Sequence, residues 1–587
     1  MVEIDRLSAQ SMDIERTNLE KLRMLFPQCF NDGNLDIDKL LNLCGEYIEP
    51  GQEKYKFDWN GKSDSYKLAG KRSTGTLRPS KEDSVNFDTT KNIYIEGDNL
   101  EVLKLLQTAY FRKVKMIYID PPYNTGNDFV YEDDFKDPIE KYKEITQQTT
   151  KSNPETMGRY HTNWLNMMYP RLIMASNLLK DDGVMFIAID DNEITNLKKI
   201  CNEVFGEENF VGDIIIKSNP RGSQSVEYLA LQHEHLIIYA KNFAYASIVG
   251  HSLSNDMLSE YKLEDNKGKY RLLGLRQRGG FWRRTERPFL YYPIYVNTNN
   301  GSISLIEDFE HTYKVVPVQP STGEDGTWRW SKEKFLNEQE YLVAKPITRD
   351  GNPDWDIFQK DYLIKEGEEP KRTKAKSIWD DKDMNYQNGS VEIKDLFGNS
   401  GIFPFPKPKK LIMKCLEMIS YDKDDIILDF FSGSATTAHA TLQLNCEDGG
   451  NRRFIMIQLP ALCDEKSEAF KAGYKNICEI GKERIRRAGK KIAEQNNNVD
   501  VGFRVFKLDS SNLQKWDTTP TSDEEELKLR FLRMKDSLVA GRTPDDLVYE
   551  IMLKLGIPLD YPVKEIKINN KQAFSIGENN LVIVCID

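Results

Sequence analysis

KMIYIDPPY, at residues 115–123, is an apolar run that ends in an aspartate, two prolines and a tyrosine. A short apolar run closed by prolines predicts a buried strand, because proline has no N–H to donate and cannot extend the strand. Four further apolar runs alternate with segments of helical periodicity: 92–96 (NIYIE), 184–189 (VMFIAI), 426–430 (IILDF) and 454–458 (FIMIQ). Buried strands that alternate with helices predict an α/β fold built on a parallel sheet.

The alternation stops near Asn242 and resumes at Lys409. Residues 244–395 are rich in aromatic and charged residues and lack the helix–strand pattern, which predicts an inserted domain. The predicted segments are therefore a helical N-terminal extension (1–60), two halves of the core (90–243 and 396–500), the insertion (244–395) and a small C-terminal module (505–587). Residues 60–90 are polar and contain several glycines, so we expect a loop there.

The composition is that of a protein with ordinary cores, since 39% of the 587 residues are hydrophobic and 29% are charged. No apolar run is long enough to span a bilayer, and no signal peptide is visible. The eight cysteines are scattered without a CxxC pair. We therefore predict neither a disulfide framework nor a zinc site, and we expect a reducing, cytoplasmic environment.

A basic cluster runs against the overall net charge of −11. Residues 262–287 hold nine lysines or arginines and three acids. Within this cluster Phe281 and Trp282 are interleaved with five arginines, which are Arg276, Arg278, Arg283, Arg284 and Arg287. Arginine donates to phosphates and to base edges, and flat rings can stack, so we expect these arginines to contact nucleic acid. The alternative is a solvated loop.

The tetrad Asp120-Pro121-Pro122-Tyr123 directly follows the first predicted strand quoted above. An exocyclic amine on a nucleobase is a poor nucleophile because its lone pair is delocalised into the ring. Two acceptors that bind both N–H groups favour its attack: Asp120 offers carboxylate oxygens, and Pro121 offers a carbonyl on a chain stiffened by two prolines. Tyr123 offers a flat face for an extruded base. The other interpretation is an ordinary Pro-Pro turn.

The second motif, residues 427–440 (ILDFFSGSATTAHA), predicts a strand, a turn of small residues around Gly433 and a helix. This geometry allows a nucleoside to approach the backbone closely at a helix N-terminus. The dinucleotide pattern GxGxxG and the P-loop are both absent, which argues against phosphate binding. S-adenosylmethionine fits better, because it carries no phosphate and its zwitterionic methionine end needs an acidic partner such as Asp429.

These motifs, in their order and spacing, resemble the β group of amino-methyltransferases, and more closely the modification subunits of type III restriction–modification systems. The matching stretches are IYIEGDNLEVLKLL, VKMIYIDPPYNTGNDFVYEDDF, HTNWLNMMYPRL, GVMFIAIDDNE, HEHLIIYAKN, FPFPKP and LDFFSGSATTAHA. The resemblance implies a Rossmann-like three-layer methyltransferase core with permuted motif order, and a target-recognition domain as the insertion. The implied reaction is methylation of N6 of adenine in double-stranded DNA, with S-adenosylmethionine as cofactor and without a catalytic metal.

The resemblance also implies roles for individual residues. Asp120, Pro121, Pro122 and Tyr123 match the catalytic tetrad. The implied cofactor residues are Asp98 and Asn99 in GDNL, Phe405 and Lys407 in FPFPKP beside the methionine tail, and Asp429, Phe431, Gly433 and Ser434 in the glycine turn. Gln458 departs from the many methyltransferases that place an acid on the ribose there, although glutamine can still hydrogen-bond. The implied partners are a second copy of this chain and a separate helicase–nuclease restriction subunit.

Other interpretations stay open at this stage. N4-cytosine methylation is the nearest alternative, although its enzymes more often have serine where this chain has Asp120. Methylation of RNA or of protein glutamine usually goes with asparagine there, and a catalytically silent DNA-binding subunit would not need the intact tetrad. His233-Glu234-His235 looks like a metal motif, but no third ligand is near in sequence. We therefore expect these three residues to be structural, and we predict no metal site.

Overall fold

The computed structural model describes residues 10–26, 29–31, 34, 35, 37, 40, 57–125, 159–222, 228–349, 351–364, 370–419, 422–513 and 538–585. The chain forms two compact units. The first unit comprises Met1–Val249 together with Ala375–Asp587, and the second comprises Gly250–Lys374. Within the described residues, none of the helices combines the length and the apolar character that a membrane span needs.

The first unit is built on a large mixed sheet. In the described part of the chain its strands are β1 Gly75–Pro79, β2 Ile93–Glu96, β3 Val114–Ile119, β4 Leu179–Ile189, β5 Phe210–Ile216, β6 Glu234–Ala240, β7 Ile378–Trp379, β8 Ile426–Asp429, β9 Arg453–Gln458 and β10 Arg504–Ser510. They lie in the order β7-β5-β6-β4-β3-β8-β9-β2-β10-β1. The run from β4 to β10 is parallel, as the sequence predicts. However, β6 is antiparallel to β4 and β5, and β1 is antiparallel to β10, so the sheet is mixed.

Helices cover both faces of this sheet. They are α1 Ile14–Leu25, α2 Lys62–Gly70, α3 Asn99–Tyr110, α4 Arg159–Leu178, α5 Ile194–Phe205, α6 Tyr386–Phe397, α7 Lys409–Ile419, α8 Thr436–Asp448, α9 Glu468–Lys471, α10 Ile477–Gln495 and α11 Pro544–Leu555. On β3, Ile117 and Ile119 share a core with α3, α4 and α5, whereas Met116 and Tyr118 share a core with α7 and α8. Because side chains alternate between the faces of a strand, this division gives the three layers of an α/β fold.

Residues 60–90 are not the loop that the sequence suggested. They form α2 and β1, and β1 pairs with β10 so that Leu77 lies opposite Leu508. Helix α2 buries Leu68 and Ala69, and the Ser65 hydroxyl donates to Asn166 of α4 at 2.9 Å. The apolar pattern here is sparse, and the partners that stabilise both elements come from distant parts of the chain, so local periodicity did not reveal them.

The ends of the chain also differ from the predicted segments. Strand β10 is part of the main sheet rather than the start of a separate C-terminal module. Helix α11 begins and ends where the sequence predicts, with Thr543 as its N-cap and Gly556 in the left-handed conformation at its C-cap. A three-stranded antiparallel sheet follows, made of Val563–Ile568, Lys571–Ile576 and Val582–Cys585. At the other end, α1 is followed by a short hairpin of Phe30–Asn31 and Asn34–Leu35, and most of the second predicted N-terminal helix lies outside the described residues.

The second unit is narrower than the predicted insertion, because β7 and α6 belong to the first unit. Its four-stranded antiparallel sheet contains, in spatial order, Leu263–Asp265, Gly268–Gly274, Asn352–Tyr362 and Leu342–Arg349. A three-stranded sheet contains Ile303–Ser304, Ile294–Val296 and Tyr313–Val315, and a two-stranded one pairs His251–Ser252 with Arg372–Thr373. The helices are Asn255–Leu258 and Lys332–Glu338. Trp328, Trp330 and Phe335 are buried in one cluster, so this unit has a hydrophobic core of its own.

Candidate active site

Two neighbouring parallel strands bring the two sequence motifs together. Strands β3 and β8 pair with Ile117 opposite Leu428. Asp120 follows β3 directly, and Asp429 is the last residue of β8. Because the carboxyl ends of parallel strands lie at one edge of a sheet, the tetrad and the glycine turn meet at the position where α/β folds bind ligands. The order along the chain is the permuted one that the resemblance implies.

Asp120 presents an acceptor at this edge. Its side chain is 29% exposed, and its Oδ1 atom is buried without a hydrogen-bond partner among the described residues. Burial raises the pKa of this carboxyl, and the positive charge of Lys407 opposes that rise. The Pro121 carbonyl accepts no hydrogen bond from the part of the chain that the structure describes. Within the described residues, the Pro121 carbonyl therefore has no hydrogen-bond donor, and the Asp120 carboxylate has Lys407 as a neighbouring cation, with Nζ 3.4 Å from Oδ1.

Lys407 is a buried cation that lies against the tetrad. Its Nζ is 3.4 Å from Asp120 Oδ1 and 2.5 Å from Glu234 Oε2, and it donates to the Tyr123 hydroxyl. Burial would lower the pKa of this ammonium, but Asp120 and Glu234 raise it well above its usual value. The resemblance places Lys407 beside the methionine tail of the cofactor, whereas the structure shows it in contact with the carboxylate of the tetrad.

Glu234 is a site residue that the sequence analysis missed. It is 2% exposed, and its Oε2 accepts hydrogen bonds from the Tyr123 hydroxyl at 2.9 Å and the Tyr386 hydroxyl at 2.5 Å, in addition to Lys407. In sequence Glu234 appeared only as the centre of a histidine pair, and Tyr386 was assigned to the insertion. The alternation of side chains along a strand could have revealed it, because Glu234 points to the opposite face of the strand from His233 and His235.

The loop after the tetrad is fixed by hydrogen bonds on both sides. The Pro122 carbonyl accepts from Trp164 Nε1 at 2.7 Å. Asn124 has a φ of +60° and donates from Nδ2 to Glu193 Oε1 at 2.6 Å. Lys407 Nζ donates to the Tyr123 hydroxyl and lies 4.9 Å from the ring centroid, so it contacts the ring at its hydroxyl edge. This cation therefore does not occupy either face of the ring.

Asp429 holds the glycine turn from the end of β8. Its Oδ1 accepts from the Phe431 amide at 3.0 Å, and its Oδ2 accepts from the Thr437 hydroxyl at 2.5 Å. Burial raises the pKa of Asp429 to about 7, although both hydrogen bonds act to lower it. A carboxyl in this condition is partly protonated near neutral pH, and a cation placed beside it would favour the ionised form.

The turn itself requires glycine at position 433. Gly433 has a φ of +49°, and a Cβ atom built there would lie 3.3 Å from Cζ of Phe403. The Gly433 amide donates to Gln458 Oε1 at 2.7 Å, and Gln458 Nε2 donates to the Leu459 carbonyl at 3.2 Å. Gln458, which the sequence analysis directed at a ribose, thus uses both ends of its amide to hold the turn.

Helix α8 begins at this turn with its first hydroxyls fixed by a buried arginine. Arg484, on α10, donates to the Ser434 hydroxyl at 2.8 Å and to the Thr436 hydroxyl at 2.6 Å, and it also pairs with Glu392 at 3.0 Å. Burial lowers the pKa of Arg484 to about 10. Ala435 between the two hydroxyl residues has a φ of +61°, an unusual conformation for a residue with a Cβ atom. No local motif predicts the role of Arg484, which lies 50 residues after Ser434 in the chain.

Asp98 and Asn99 support the turn from the neighbouring helix α3. Asn99 is fully buried and donates to the Phe430 carbonyl at 2.8 Å, while its Oδ1 accepts from Arg171 Nε at 2.5 Å. Asp98 is the N-cap of α3, accepting from the Glu101 amide, and it pairs with Arg171 at 3.2 Å. The structure therefore shows Asp98 and Asn99 in internal hydrogen bonds that tie α3 to the end of β8.

The two aromatic residues assigned to the cofactor differ in their exposure. Phe431 is 8% exposed and packs against Phe430, with ring centroids 5.3 Å apart. Phe405 is 82% exposed and has a φ of +52°, which bulky residues rarely adopt. A strained residue that presents an exposed ring two positions before Lys407 is typical of a loop that contacts a ligand.

The five arginines of the second unit do not form one exposed set. Arg276 is 7% exposed and pairs with Asp356 at 2.5 Å, so its side chain belongs to the interior of this unit. The other four, Arg278, Arg283, Arg284 and Arg287, are exposed. Arg284 pairs with Asp325 at 2.8 Å, and Arg283 lies 3.7 Å from Glu324. The sequence predicts that Arg276 contacts nucleic acid. The structure contradicts this prediction for Arg276, because a buried ion pair with Asp356 holds its guanidinium.

The histidine pair differs from the sequence interpretation in one respect. His233 and His235 lack a third ligand nearby in sequence, but Asp191 supplies a carboxylate in space. Its Oδ1 is 3.2 Å from His235 Nε2 and 3.7 Å from His233 Nε2. His439, by contrast, is 5% exposed and packed within α8. The His233–His235 pair thus offers ligand atoms that converge with a carboxylate.

Comparison with known proteins gives consistent matches. Residues 114–476 match the DNA methylase family. The Mod subunit of the type III restriction-modification enzyme EcoPI of Escherichia phage P1 is 36% identical over 518 residues, which cover 84% of this chain and 78% of that one. The EcoP15I Mod subunit of Escherichia coli is 32% identical over 605 residues, covering 96% and 87%. The type II methyltransferase M.KpnI of Klebsiella pneumoniae is 34% identical over 393 residues, covering 67% and 86%.

Proposed function

This chain belongs to the DNA methylases, and among them to the Mod subunits of type III restriction–modification enzymes; on that basis we propose that it methylates N6 of adenine in double-stranded DNA. S-adenosylmethionine is the methyl donor and supplies an electrophilic methyl group when bound. The observation that carries the choice of an amino group is the pair of acceptor oxygens on Asp120 and Pro121.

The acceptor pair is suited to an exocyclic amine. The Asp120 carboxylate and the Pro121 carbonyl can each accept one N–H of the same amino group, which draws the nitrogen lone pair out of the ring and toward the methyl group. Asp120 must be ionised to do this, and Lys407 favours that state. Tyr123 presents a face of its ring to the extruded base, while Glu234 holds its hydroxyl.

Asp120 also favours adenine over cytosine. The N4-cytosine enzymes that the chain resembles more often have serine at this position, and serine offers a hydroxyl where Asp120 offers a carboxylate. The intact tetrad and the buried Glu234–Lys407 pair beside it speak against a catalytically silent DNA-binding subunit. An inactive subunit has no need of a buried ion pair at a base-binding residue, because such pairs are costly to desolvate.

The glycine turn fits S-adenosylmethionine. The Asp429 carboxyl can balance the positive charge of this cofactor, and its raised pKa shows that it has no strong cationic partner within the structure. Gly433 leaves space beside Phe403 that a side chain would fill. Asp429, Gly433 and Ser434 would hold the cofactor at the turn, and the exposed Phe405 ring would cover it.

Target recognition is assigned to the second unit, Gly250–Lys374. It has its own core and carries the exposed Arg278, Arg283, Arg284 and Arg287. Exposed arginines next to aromatic rings can contact phosphates and base edges. The proposed partners are double-stranded DNA, a second copy of this chain and a restriction subunit that carries out cleavage.

The test is to identify the methylated nucleoside. The full chain is incubated with unmethylated DNA and S-adenosylmethionine, the DNA is digested to nucleosides, and these are separated by liquid chromatography and mass spectrometry. We expect N6-methyl-2′-deoxyadenosine, and modification-sensitive sequencing then gives the target site. N4-methyl-2′-deoxycytidine as the product would contradict the proposed base.

The matched control is Asp120→Ala. The carboxylate acts on the amine and not on the DNA backbone, so methyl transfer should fall by at least about 100-fold, in the range seen when one stabilising group is removed from an active site. DNA affinity should stay close to that of the original chain. Activity within tenfold of the original would show that Asp120 does not have this role.

A further inference from the structure

A second group of converging side chains lies at the start of strand β6, on the other side of that strand from the tetrad. In the antiparallel pairing of β4 with β6, the last pair at this end joins Ile189 and His235. Asp191 follows the end of β4 by two residues and His233 directly precedes β6, so both lie just beyond that pair. His233 and His235 share one face of the strand, because side chains two residues apart point the same way.

The ligand atoms of these three residues are at distances suited to a metal ion. Asp191 Oδ1 lies 3.2 Å from His235 Nε2 and 3.7 Å from His233 Nε2, and all three atoms lie within 4.8 Å of one another. A tetrahedral zinc ion with ligand bonds of about 2.0–2.1 Å separates its ligand atoms by roughly 3.3–3.5 Å. Small rotations of the two rings would therefore centre all three atoms on one ion.

The other side of the His235 ring is already held. Its Nδ1 is 3.0 Å from Asp213 Oδ2, and Asp213 lies on β5, the other neighbour of β6. A carboxylate on the far nitrogen of a ligating histidine fixes the orientation of the ring and strengthens it as a ligand. With Asp213 on its Nδ1, the His235 ring directs Nε2 at Asp191, 3.2 Å away, and this arrangement resembles the support that metal-binding histidines receive in general.

We propose that Asp191, His233 and His235 bind one divalent transition-metal ion, for which Zn²⁺ is the best fit. Two imidazoles and one carboxylate suit zinc or its neighbours in the transition series, whereas Mg²⁺ and Ca²⁺ take oxygen ligands. Water completes the coordination, since Asp191 and His233 are both partly exposed. His233 and His235 flank Glu234 in sequence. A bound ion would therefore also hold the start of β6, which carries Glu234 next to the tetrad.

The test is zinc binding by the untagged full chain after treatment with a chelator. Calorimetric titration should give one Zn²⁺ per chain, and His233→Ala should weaken binding by at least about tenfold. Asp213→Asn should weaken it by about 10–100-fold without removing a ligand, which is the effect of losing a supporting carboxylate. His311→Ala is the matched control, because the His311 ring contacts Asp308 and Ser302, is not one of the three converging ligands and should leave zinc affinity unchanged.

The absorption spectrum of bound Co²⁺ distinguishes binding at this site from binding by the cysteines of the chain. Co²⁺ bound by the three residues should show visible d–d bands without a thiolate-to-cobalt charge-transfer band, and His233→Ala should remove the d–d bands. His233 is partly exposed, so the variant should keep its unfolding midpoint in chelator, which separates loss of the site from loss of the fold. The proposal is overturned if no stoichiometric zinc binds, if His233→Ala binds zinc as the original chain does, or if the cobalt spectrum shows thiolate ligation.

Discussion

The charge on Asp120 depends on its immediate neighbours. Burial and Glu234 raise the pKa of this carboxyl, and Lys407 lowers it. Only the ionised carboxylate can accept a hydrogen bond at both of its oxygens, so the fraction of active protein follows the pKa of Asp120. The buried lysine is therefore a positioning residue that acts through Asp120, and its effect should appear in the pH dependence of the reaction.

Replacing Lys407 with methionine tests this dependence. The substitution keeps a long apolar stem and removes the positive charge, so the pKa of Asp120 should rise further. Methyl transfer then needs a higher pH to reach its maximum, and the acid limb of the single-turnover rate should shift upward by about one unit or more. The measurement is the rate of transfer at saturating cofactor over a range of pH.

The matched control removes a second charge as well. Glu234 raises the pKa of Asp120, so Lys407→Met combined with Glu234→Gln should shift the acid limb less than Lys407→Met alone. A purely structural role for Lys407 would lower the rate by the same factor at every pH. That outcome in the single variant would contradict the electrostatic interpretation.

Asp429 predicts a pH dependence of cofactor binding. With a pKa of about 7 in the free protein, its carboxyl holds a proton below that pH. A cationic cofactor favours the ionised form, so binding below pH 7 must release this proton, and the affinity should fall by up to about tenfold for each unit of pH below 7. Above pH 7 no proton has to leave, and the affinity should level off.

Calorimetry in two buffers of different ionisation enthalpy measures the released proton directly. Asp429→Asn keeps the size of the side chain and an oxygen that can accept from Phe431 or Thr437, but it has no proton to lose. In this variant the proton release should disappear and the affinity should become independent of pH near 7. Proton release of the same size in Asp429→Asn would assign it to another group.

Individual site residues can be predicted from the sequence when they belong to a short motif at the end of a strand. Asp120 and Asp429 end apolar strands, and that placement alone puts their carboxylates at the ligand-binding edge of the sheet. Glu234 and Arg276 could not be placed in the same way. Whether Glu234 faces the tetrad and whether Arg276 meets Asp356 depends on strand pairings between distant parts of the chain.

Among the elements, the turn between β8 and α8 is the one whose substitution tests the proposed position of the cofactor. Gly433→Val would place a branched side chain at a φ of +49° and against Phe403, 3.3 Å from the new Cβ atom. The turn should move, and S-adenosylmethionine affinity measured by calorimetry should fall by tenfold or more. The expected cause is crowding at the turn rather than backbone strain alone.

Gly449→Val separates crowding from strain. Gly449 lies at the other end of the same helix with a φ of +69°, and a Cβ atom there would meet nothing within 4 Å. Both variants strain the backbone, so both should lower the unfolding midpoint, but Gly449→Val should keep its cofactor affinity. Equal loss of affinity in the two variants would place the cofactor away from the turn.

Elements with a strong apolar pattern were predictable, and elements stabilised from a distance were not. The run VMFIAI fills the second half of β4, and helix α7 begins at Lys409, where the predicted alternation resumes. Strand β1, GTLRP, holds one large apolar residue, and it forms because β10 offers an open edge.

In the whole molecule the two units divide the chain differently from the pattern of the sequence. The insertion was predicted to end at residue 395, before the α/β alternation resumes at Lys409, yet Ile378–Trp379 pairs with β5 and Tyr386 reaches Glu234. The pattern of a single sequence shows where the α/β alternation is interrupted. It does not show which later residues pack in the first unit again. The boundary at Lys374 matters for any experiment that exchanges the second unit.

Exchange of the second unit tests where the target sequence is read. In a chimera that carries the corresponding segment of a relative with a different target in place of Gly250–Lys374, the methylated sites should be those of the relative. These junctions keep the backbone hydrogen bond from Val249 to Met418, and they keep β7 and α6 in the first unit. Folding and cofactor affinity should therefore be retained. Modification-sensitive sequencing identifies the sites, and calorimetry with S-adenosylmethionine confirms that the first unit is intact. A folded, active chimera that still methylates the original sites would show that recognition lies outside the second unit, since the exposed arginines would then have been replaced without effect on the sequence that is read.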